Sequence, residues 1–174
     1  MYGYLAVRYG LMALLNRGAL PRAAHFAPMG GEWKTASLVY QATNVLFPLL
    51  LCFLPLRFAG FPGAAGLVLF MTGLALLIAS VVSFARAVPD GLATQGPYRL
   101  IRNPMYLAYF LYYLGCAVPA RSIPLLVLLV VFQAGAHFPI LAEERWCLDR
   151  FGAQCVVYME KAGRYLPRLR RGVR

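Results

Sequence analysis

Four long apolar stretches constrain the fold of this chain more than any other feature. They cover residues 36–56, 62–85, 104–120 and 122–142. A helix rises about 1.5 Å per residue, so about 20 apolar residues cross the ~30 Å hydrocarbon core of a bilayer. A fifth stretch, 2–15, is shorter and contains Arg8, so it spans only if that side chain reaches the interface. The sequence therefore predicts an all-α integral membrane protein with about five transmembrane helices.

The composition agrees with a membrane environment. Hydrophobic residues make up 61% of the 174 residues and charged residues 13%, whereas a soluble domain is about half apolar and a quarter charged. No linker-like segment divides the chain, so we predict one membrane domain over 1–174. Within this domain, residues 1–89 contain the N-terminal transmembrane helices, and residues 90–167 contain a polar loop, a helical hairpin and a C-terminal motif.

The net charge of +11 is distributed as in a membrane protein. Eight of the 17 lysines and arginines lie between Arg145 and Arg174, and most others lie in two short segments between apolar stretches. With five spans, these basic segments share one side, which the positive-inside rule assigns to the cytoplasm. We therefore predict a multi-pass cell-membrane protein with its N-terminus outside and its C-terminus cytoplasmic, and no nucleic-acid partner.

A short turn at residues 119–122 predicts that the fourth and fifth helices form an antiparallel hairpin. The hairpin would bring together two polar clusters, 90–106 and 143–152, at the cytoplasmic face. In the first cluster, Pro104 suits the first position of a helix capped by Asn103. Such a helix start offers free N–H groups to an anionic or polar ligand. The second cluster reads as a cytoplasmic amphipathic helix, whose carboxylates Glu143 and Glu144 serve either a ligand or ion pairs with neighbouring arginines.

The four cysteines give no metal signature. Cys52, Cys116, Cys147 and Cys155 show no CxxC spacing. We interpret them as reduced thiols, and we predict no metal site.

The two clusters together resemble a known family. Residues 96–106 read Gly-Pro-Tyr-Arg-x-x-Arg-Asn-Pro-x-Tyr, residues 143–152 read Glu-Glu-x-x-x-Leu-x-x-Phe-Gly, and Arg164-x-x-Pro167 follows. In this order the motifs resemble the isoprenylcysteine carboxyl methyltransferase and phospholipid methyltransferase superfamily. The resemblance covers roughly the C-terminal half of the chain.

The resemblance implies an S-adenosylmethionine-dependent methyltransferase that acts on a lipid or small lipophilic acceptor. It assigns these residues to the cofactor pocket: Asp90, Gly91, Leu92, Ala93, Tyr98, Asn103, Pro104, Met105, Tyr106 and Glu143. Glu143 would bind the cofactor's ammonium or ribose hydroxyls, and the helix start at Pro104 would bind its carboxylate. Arg164 would close over the substrate or the cofactor.

Two departures from the family pattern bear on the acceptor. The family's common Arg-His-Pro triplet is Arg102-Asn103-Pro104 here, and Pro139 stands where the prenylcysteine enzymes have an arginine. His137 lies two helical turns before Glu144 and is a candidate catalytic base, or else a histidine hydrogen-bonded within the helix bundle. A base without a cationic clamp favours an amine or thiol acceptor over a carboxylate.

Two other functions fit the same features. Sterol reductases share a related membrane core, with a nicotinamide cofactor in the corresponding pocket. A non-catalytic membrane scaffold or lipid-binding protein would use the clusters only to cap helices. Binding of S-adenosylhomocysteine, of NADPH or of neither separates the three.

Overall fold

The computed structural model describes Tyr4 and residues 6–20, 32–88 and 91–168, and these residues are mainly helical. The first helix, α1, begins as a π-helical turn, Ala6–Leu11, and continues as an α-helix, Met12–Leu15. The other helices are α2 (Glu32–Cys52), α3 (Gly60–Ala85), α4 (Pro104–Ala120), α5 (Ile123–Phe151) and α6 (Ala153–Lys161), and a 3₁₀ turn covers Gly96–Arg99.

Among the described residues, three helices are long and apolar enough to cross a membrane. They are Trp33–Cys52, Gly60–Ala85 and Ile123–Phe151. The predicted all-helical membrane character is confirmed in the described residues. α4 has 17 residues and the apolar stretch of α1, Ala6–Leu15, is also short, so the count of five spans and the orientation of the termini stay predictions.

α3 and α4 pack with their backbones in contact. A Cβ atom added to Gly73 would lie 2.5 Å from the Tyr112 nitrogen, and one added to Gly115 would clash with the backbone of Phe70. Small residues permit this close approach of helices in a membrane. α5 instead packs mainly against α2, where Gly135 faces Tyr40. The fourth and fifth helices are joined by a short turn, as predicted, but each has a different principal neighbour.

Aromatic side chains fill the space between these helices. Phe47 and Tyr113 stack with ring centroids 4.3 Å apart. Tyr4 contacts the rings of Tyr109 and Tyr113, each at 5.6 Å between centroids. The N-terminal segment is also attached at its other end, because the Asn16 side chain donates to the Ala85 carbonyl at 3.0 Å. α1 therefore belongs to the core of the bundle.

The C-terminal region differs from the prediction in two respects. α5 continues without a break to Phe151, so the second polar cluster is the end of a long helix rather than a separate amphipathic one. Gly152 then adopts a positive φ of 50°, and α6 begins after it. This reversal brings the Cα atoms of Cys147 and Cys155 to 6.1 Å, and the two form a disulfide. The prediction that these two thiols are reduced was wrong for this structure, because the spacing of the cysteines does not reveal the turn at Gly152.

Candidate functional site

The two polar clusters meet in the contact between Tyr106 and Glu143. Tyr106 lies in the first turn of α4 and is buried, and Glu143 is partly buried near the end of α5. The Tyr106 hydroxyl donates a hydrogen bond to Glu143 Oε1 at 2.8 Å. A carboxylate has acceptor capacity on both oxygens, so Oε2 can accept further hydrogen bonds. This contact joins the first and second motifs.

Glu144 connects the second motif with the third. Its carboxylate accepts two hydrogen bonds from Arg164 Nε, at 3.0 and 3.1 Å, and one from Arg164 Nη2 at 2.6 Å. Arg102 Nη2 lies 3.3 Å from Glu144 Oε1. The hydrogen bonds from Arg164 to Glu144 raise the pKa of this arginine, whereas burial lowers the pKa of Arg102. Glu144 thus pairs with two arginines.

The segment after α6 is bound to the segment before α4 through the backbone. Arg102 N donates to Gly163 O at 2.8 Å, and Gly163 N donates to Leu100 O at 3.0 Å. Ile101 and Gly163 form an isolated parallel bridge. Together with the pair Arg164–Glu144, this bridge fixes the third motif against the first.

The start of α4 agrees with the predicted cap position but not with the predicted side-chain role. Asn103 is the N-cap residue and Pro104 the first helical residue, but the Asn103 side chain makes no capping hydrogen bond. Its Nδ2 instead donates to the Arg164 carbonyl at 3.4 Å. The Asn103 side chain therefore leaves the N–H groups of Met105 and Tyr106, in the first helical turn, uncapped.

Tyr98 contributes its backbone rather than its phenol to the contacts of the loop. The ring is 8% exposed, and burial raises the pKa of its hydroxyl. Its carbonyl accepts a hydrogen bond from the Tyr158 hydroxyl at 2.8 Å. Gly91, Leu92 and Ala93 are partly exposed in irregular backbone before the 3₁₀ turn. Asp90 lies outside the described residues.

His137 lies on the face of α5 that meets the C-terminal motif. Its Nδ1 atom and the Tyr165 hydroxyl are hydrogen-bonded at 2.5 Å, and the two rings stack with centroids 6.2 Å apart. Burial raises the pKa of Tyr165, so its hydroxyl stays protonated at neutral pH. Pro139 is fully buried. The structure thus gives His137 a defined partner, one residue after Arg164.

Sequence reasoning missed three members of this arrangement. Aromatic residues near the ends of membrane helices are commonly interfacial anchors, but Tyr165 and Tyr158 both make hydrogen bonds within the protein. Arg102, which the sequence presents only as part of the first motif, lies against Glu144. The signal for Tyr165 was its position next to Arg164, inside the third motif. No group of His, Cys, Asp or Glu residues that could hold a metal ion is found among the described residues.

Comparison with known proteins agrees with the motifs. Residues 87–154, which are less than half of the chain, match the model of the phospholipid methyltransferase family. This family belongs to the membrane methyltransferase superfamily that the motifs resemble, so the resemblance is confirmed over that stretch. The match indicates an enzyme that transfers methyl groups and does not favour the reductase or scaffold alternatives. No curated protein and no solved structure matches the chain.

Proposed function

From the phospholipid methyltransferase match over residues 87–154, we propose that this protein is an S-adenosylmethionine-dependent methyltransferase. It acts on a lipid or small lipophilic acceptor at the cytoplasmic face of the membrane. The observation that carries the proposal is the hydrogen bond between Tyr106 and Glu143. It joins the two motifs at one place, where the start of α4 offers backbone N–H groups next to a carboxylate.

The chemistry of these groups fits the cofactor. S-adenosylmethionine carries an ammonium and a carboxylate on its amino-acid end, so it needs an anionic and a cationic or N–H-rich partner. Glu143 supplies the anionic partner for the ammonium. The N–H groups of the first turn of α4, with the positive end of its helix dipole, supply the partner for the carboxylate. Tyr106 holds the Glu143 carboxylate in place. Because this side chain is already ordered, it loses less conformational entropy when the cofactor binds.

The protein's role in the reaction is alignment and exclusion of water. When bound, S-adenosylmethionine supplies a methyl group on a sulfonium, whose departure as a neutral thioether needs no acid. The bundle must hold the acceptor atom in line with that methyl group in a dry site. We propose that the third motif, fixed by Glu144 and the bridge at Gly163, covers the site, with Arg164 contributing to this cover.

The acceptor enters from the membrane side, where apolar helix faces surround the site. We propose His137 as the base that removes a proton from an amine or thiol acceptor. Its hydrogen bond to Tyr165 orients the imidazole ring. The second nitrogen, Nε2, is then the atom that accepts the proton.

Two measurements test the proposal. The detergent-solubilised protein should bind S-adenosylhomocysteine and not NADPH in calorimetry, and binding of NADPH alone would support the reductase instead. Radioactive methyl from S-adenosylmethionine should enter a total lipid extract in the presence of the protein, and identification of the labelled product names the acceptor. Binding of neither cofactor would reject the proposal.

A further inference from the structure

The disulfide between Cys147 and Cys155 lies at the junction of α5 and α6, next to the candidate site. Cys147 comes one helical turn after Glu143 along α5, and Cys155 belongs to the first turn of α6. Between the two helices, Gly152 has a φ of 50°, and a Cβ atom added there would meet nothing within 4 Å. The junction is therefore a glycine hinge with a covalent bond across it.

α6 is attached to the rest of the protein by few contacts. Of its 9 residues, Cys155 alone is buried. A helix of this length is not stable in water by itself, so its order depends on its attachments. Besides the disulfide, these are the hydrogen bond from the Tyr158 hydroxyl to the Tyr98 carbonyl and the backbone bridge at Gly163, which follows the helix. The disulfide is thus a substantial part of what fixes α6.

The end of α6 leads directly into the third motif. Ala162, the residue after the helix, is fully buried, and its N–H donates to the Tyr158 carbonyl at 3.0 Å. Arg164 follows two residues later and pairs with Glu144. A movement of α6 about the glycine hinge would therefore displace the segment that we propose as the cover of the site.

The two sulfur atoms differ in their access to solution. Cys147 is partly exposed, whereas Cys155 is 0% exposed. A thiolate such as that of glutathione can therefore attack the Cys147 sulfur; the S–S bond breaks, and Cys155 leaves as a thiolate that takes up a proton. A second thiolate attacks the mixed disulfide, which releases Cys147 as a thiol and forms glutathione disulfide. The reverse reaction, with glutathione disulfide as the oxidant, restores the bond.

We propose that the Cys147–Cys155 disulfide is a reversible redox switch of the candidate site. The bond fixes α6 and holds the third motif over the site, and its reduction by a low-molecular-weight thiol loosens both. Disulfides on the cytosolic side of a membrane are usually transient or redox-sensing, which agrees with the predicted cytoplasmic position of the site. The inference rests on the proposed function only for the ligand that the cover retains.

The first test asks whether the bond is reversible in the folded protein. Cys52 and Cys116, the free cysteines of the described chain, are replaced by serine so that only the pair reacts. The full-length, detergent-solubilised protein is equilibrated with mixtures of glutathione and glutathione disulfide, and free thiols are counted by maleimide labelling and mass spectrometry. We expect the pair to convert fully in both directions. A bond that is reduced only after unfolding, or thiols that never pair, would overturn the proposal.

The second test measures what the bond holds in place. Hydrogen exchange is compared between the oxidised and reduced forms, which have the same sequence. We expect the amides of 153–167 to exchange about tenfold faster in the reduced form, with those of α3 unchanged as the internal reference. Cys147→Ser should exchange like the reduced form whether or not glutathione disulfide is present. Equal exchange of 153–167 in the two forms would overturn the switch.

The third test measures the effect on the site. Radiolabelled S-adenosylhomocysteine should dissociate severalfold faster from the reduced form than from the oxidised form, and glutathione disulfide should not slow its release from Cys147→Ser. Equal dissociation rates, with 153–167 loosened by reduction, would show that the bond does not control the site and would overturn the proposal. Absence of S-adenosylhomocysteine binding in both forms would instead reject the proposed function, and the exchange of 153–167 would still decide whether the bond controls this segment.

Discussion

Tyr106 and Glu143 are 37 residues apart in sequence, and their side chains are joined by a 2.8 Å hydrogen bond. Tyr106 belongs to α4 and Glu143 to α5, and these helices pack mainly against other partners. Their motif-bearing ends are therefore linked by polar contacts rather than by an extensive apolar interface. A polar link between two such helices is suited to a site that must bind and release a charged ligand.

The first prediction tests this link by removing the carboxylate. Glu143→Ala should lower the affinity for S-adenosylhomocysteine about tenfold to a hundredfold, because a charge-assisted hydrogen bond contributes about 1.5–3 kcal/mol. Tyr106→Phe should have a smaller effect, since it leaves the charge in place. Calorimetry measures both, with the exposed Glu160→Ala as control. Parent-like affinity in Glu143→Ala would assign Glu143 to structure.

A second prediction concerns the attachment of the third motif. Glu144→Gln removes the charge that holds Arg164 and Arg102, so the segment 162–167 should exchange its amide hydrogens faster. Hydrogen exchange read by mass spectrometry locates the change, and Glu160→Gln is the matched control. The backbone bridge at Gly163 remains, so the segment should stay attached, and the rest of the protein should exchange as before. Unchanged protection of 162–167 would mean that the bridge alone holds the segment.

The third prediction concerns the packing of α3 on α4. Gly73→Ala places a methyl group 2.5 Å from the Tyr112 nitrogen, and a backbone atom cannot move aside without separating the helices. We expect a loss of stability of about 1–3 kcal/mol, the range for an overpacked core, measured by thermal unfolding in detergent. Gly10→Ala is the control, because a Cβ atom there meets nothing within 4 Å. Equal melting temperatures for the two variants would contradict the close contact.

Local patterns predicted some features of this protein well. The helix start at Pro104 follows from proline's fixed φ, and the approach of the two polar clusters follows from the short turn between two helices, although the contact of Tyr106 with Glu143 was not predicted. Partners in space could not be predicted in this way. That α4 packs on α3 depends on glycines of two helices fitting each other, and the contact of the Arg8 guanidinium with the Tyr109 ring joins residues about a hundred positions apart. The disulfide depends on one positive φ at Gly152, which the sequence around it does not require.

A fourth prediction tests the orientation of the site in the membrane. Arg99 and Arg102 belong to the loop that contains Thr94, and the positive-inside rule assigns this basic loop to the cytoplasm. In a variant with all four cysteines replaced by serine, Thr94→Cys should resist a membrane-impermeant maleimide in intact cells and react after permeabilisation. Residues near Arg22 and Arg170 should behave in the same way, although both lie outside the described residues. Labelling of position 94 in intact cells would show that the topology is the reverse of the predicted one.

The last prediction concerns the hydrogen bond between His137 and Tyr165 and the nature of the acceptor. A neutral imidazole accepts a proton at Nε2 only if Nδ1 carries its hydrogen, so the base requires that Nδ1–H donates to the Tyr165 oxygen. For an amine or thiol acceptor, methyl transfer should therefore depend on this imidazole. His137→Gln should retain the affinity for S-adenosylhomocysteine and lose most turnover. Tyr165→Phe should show a smaller loss of turnover, because the His137 imidazole remains but no hydrogen bond fixes its tautomer. A carboxylate acceptor is already ionised at neutral pH and needs no base, so full turnover in His137→Gln would contradict the role of His137 as a base and favour a carboxylate acceptor.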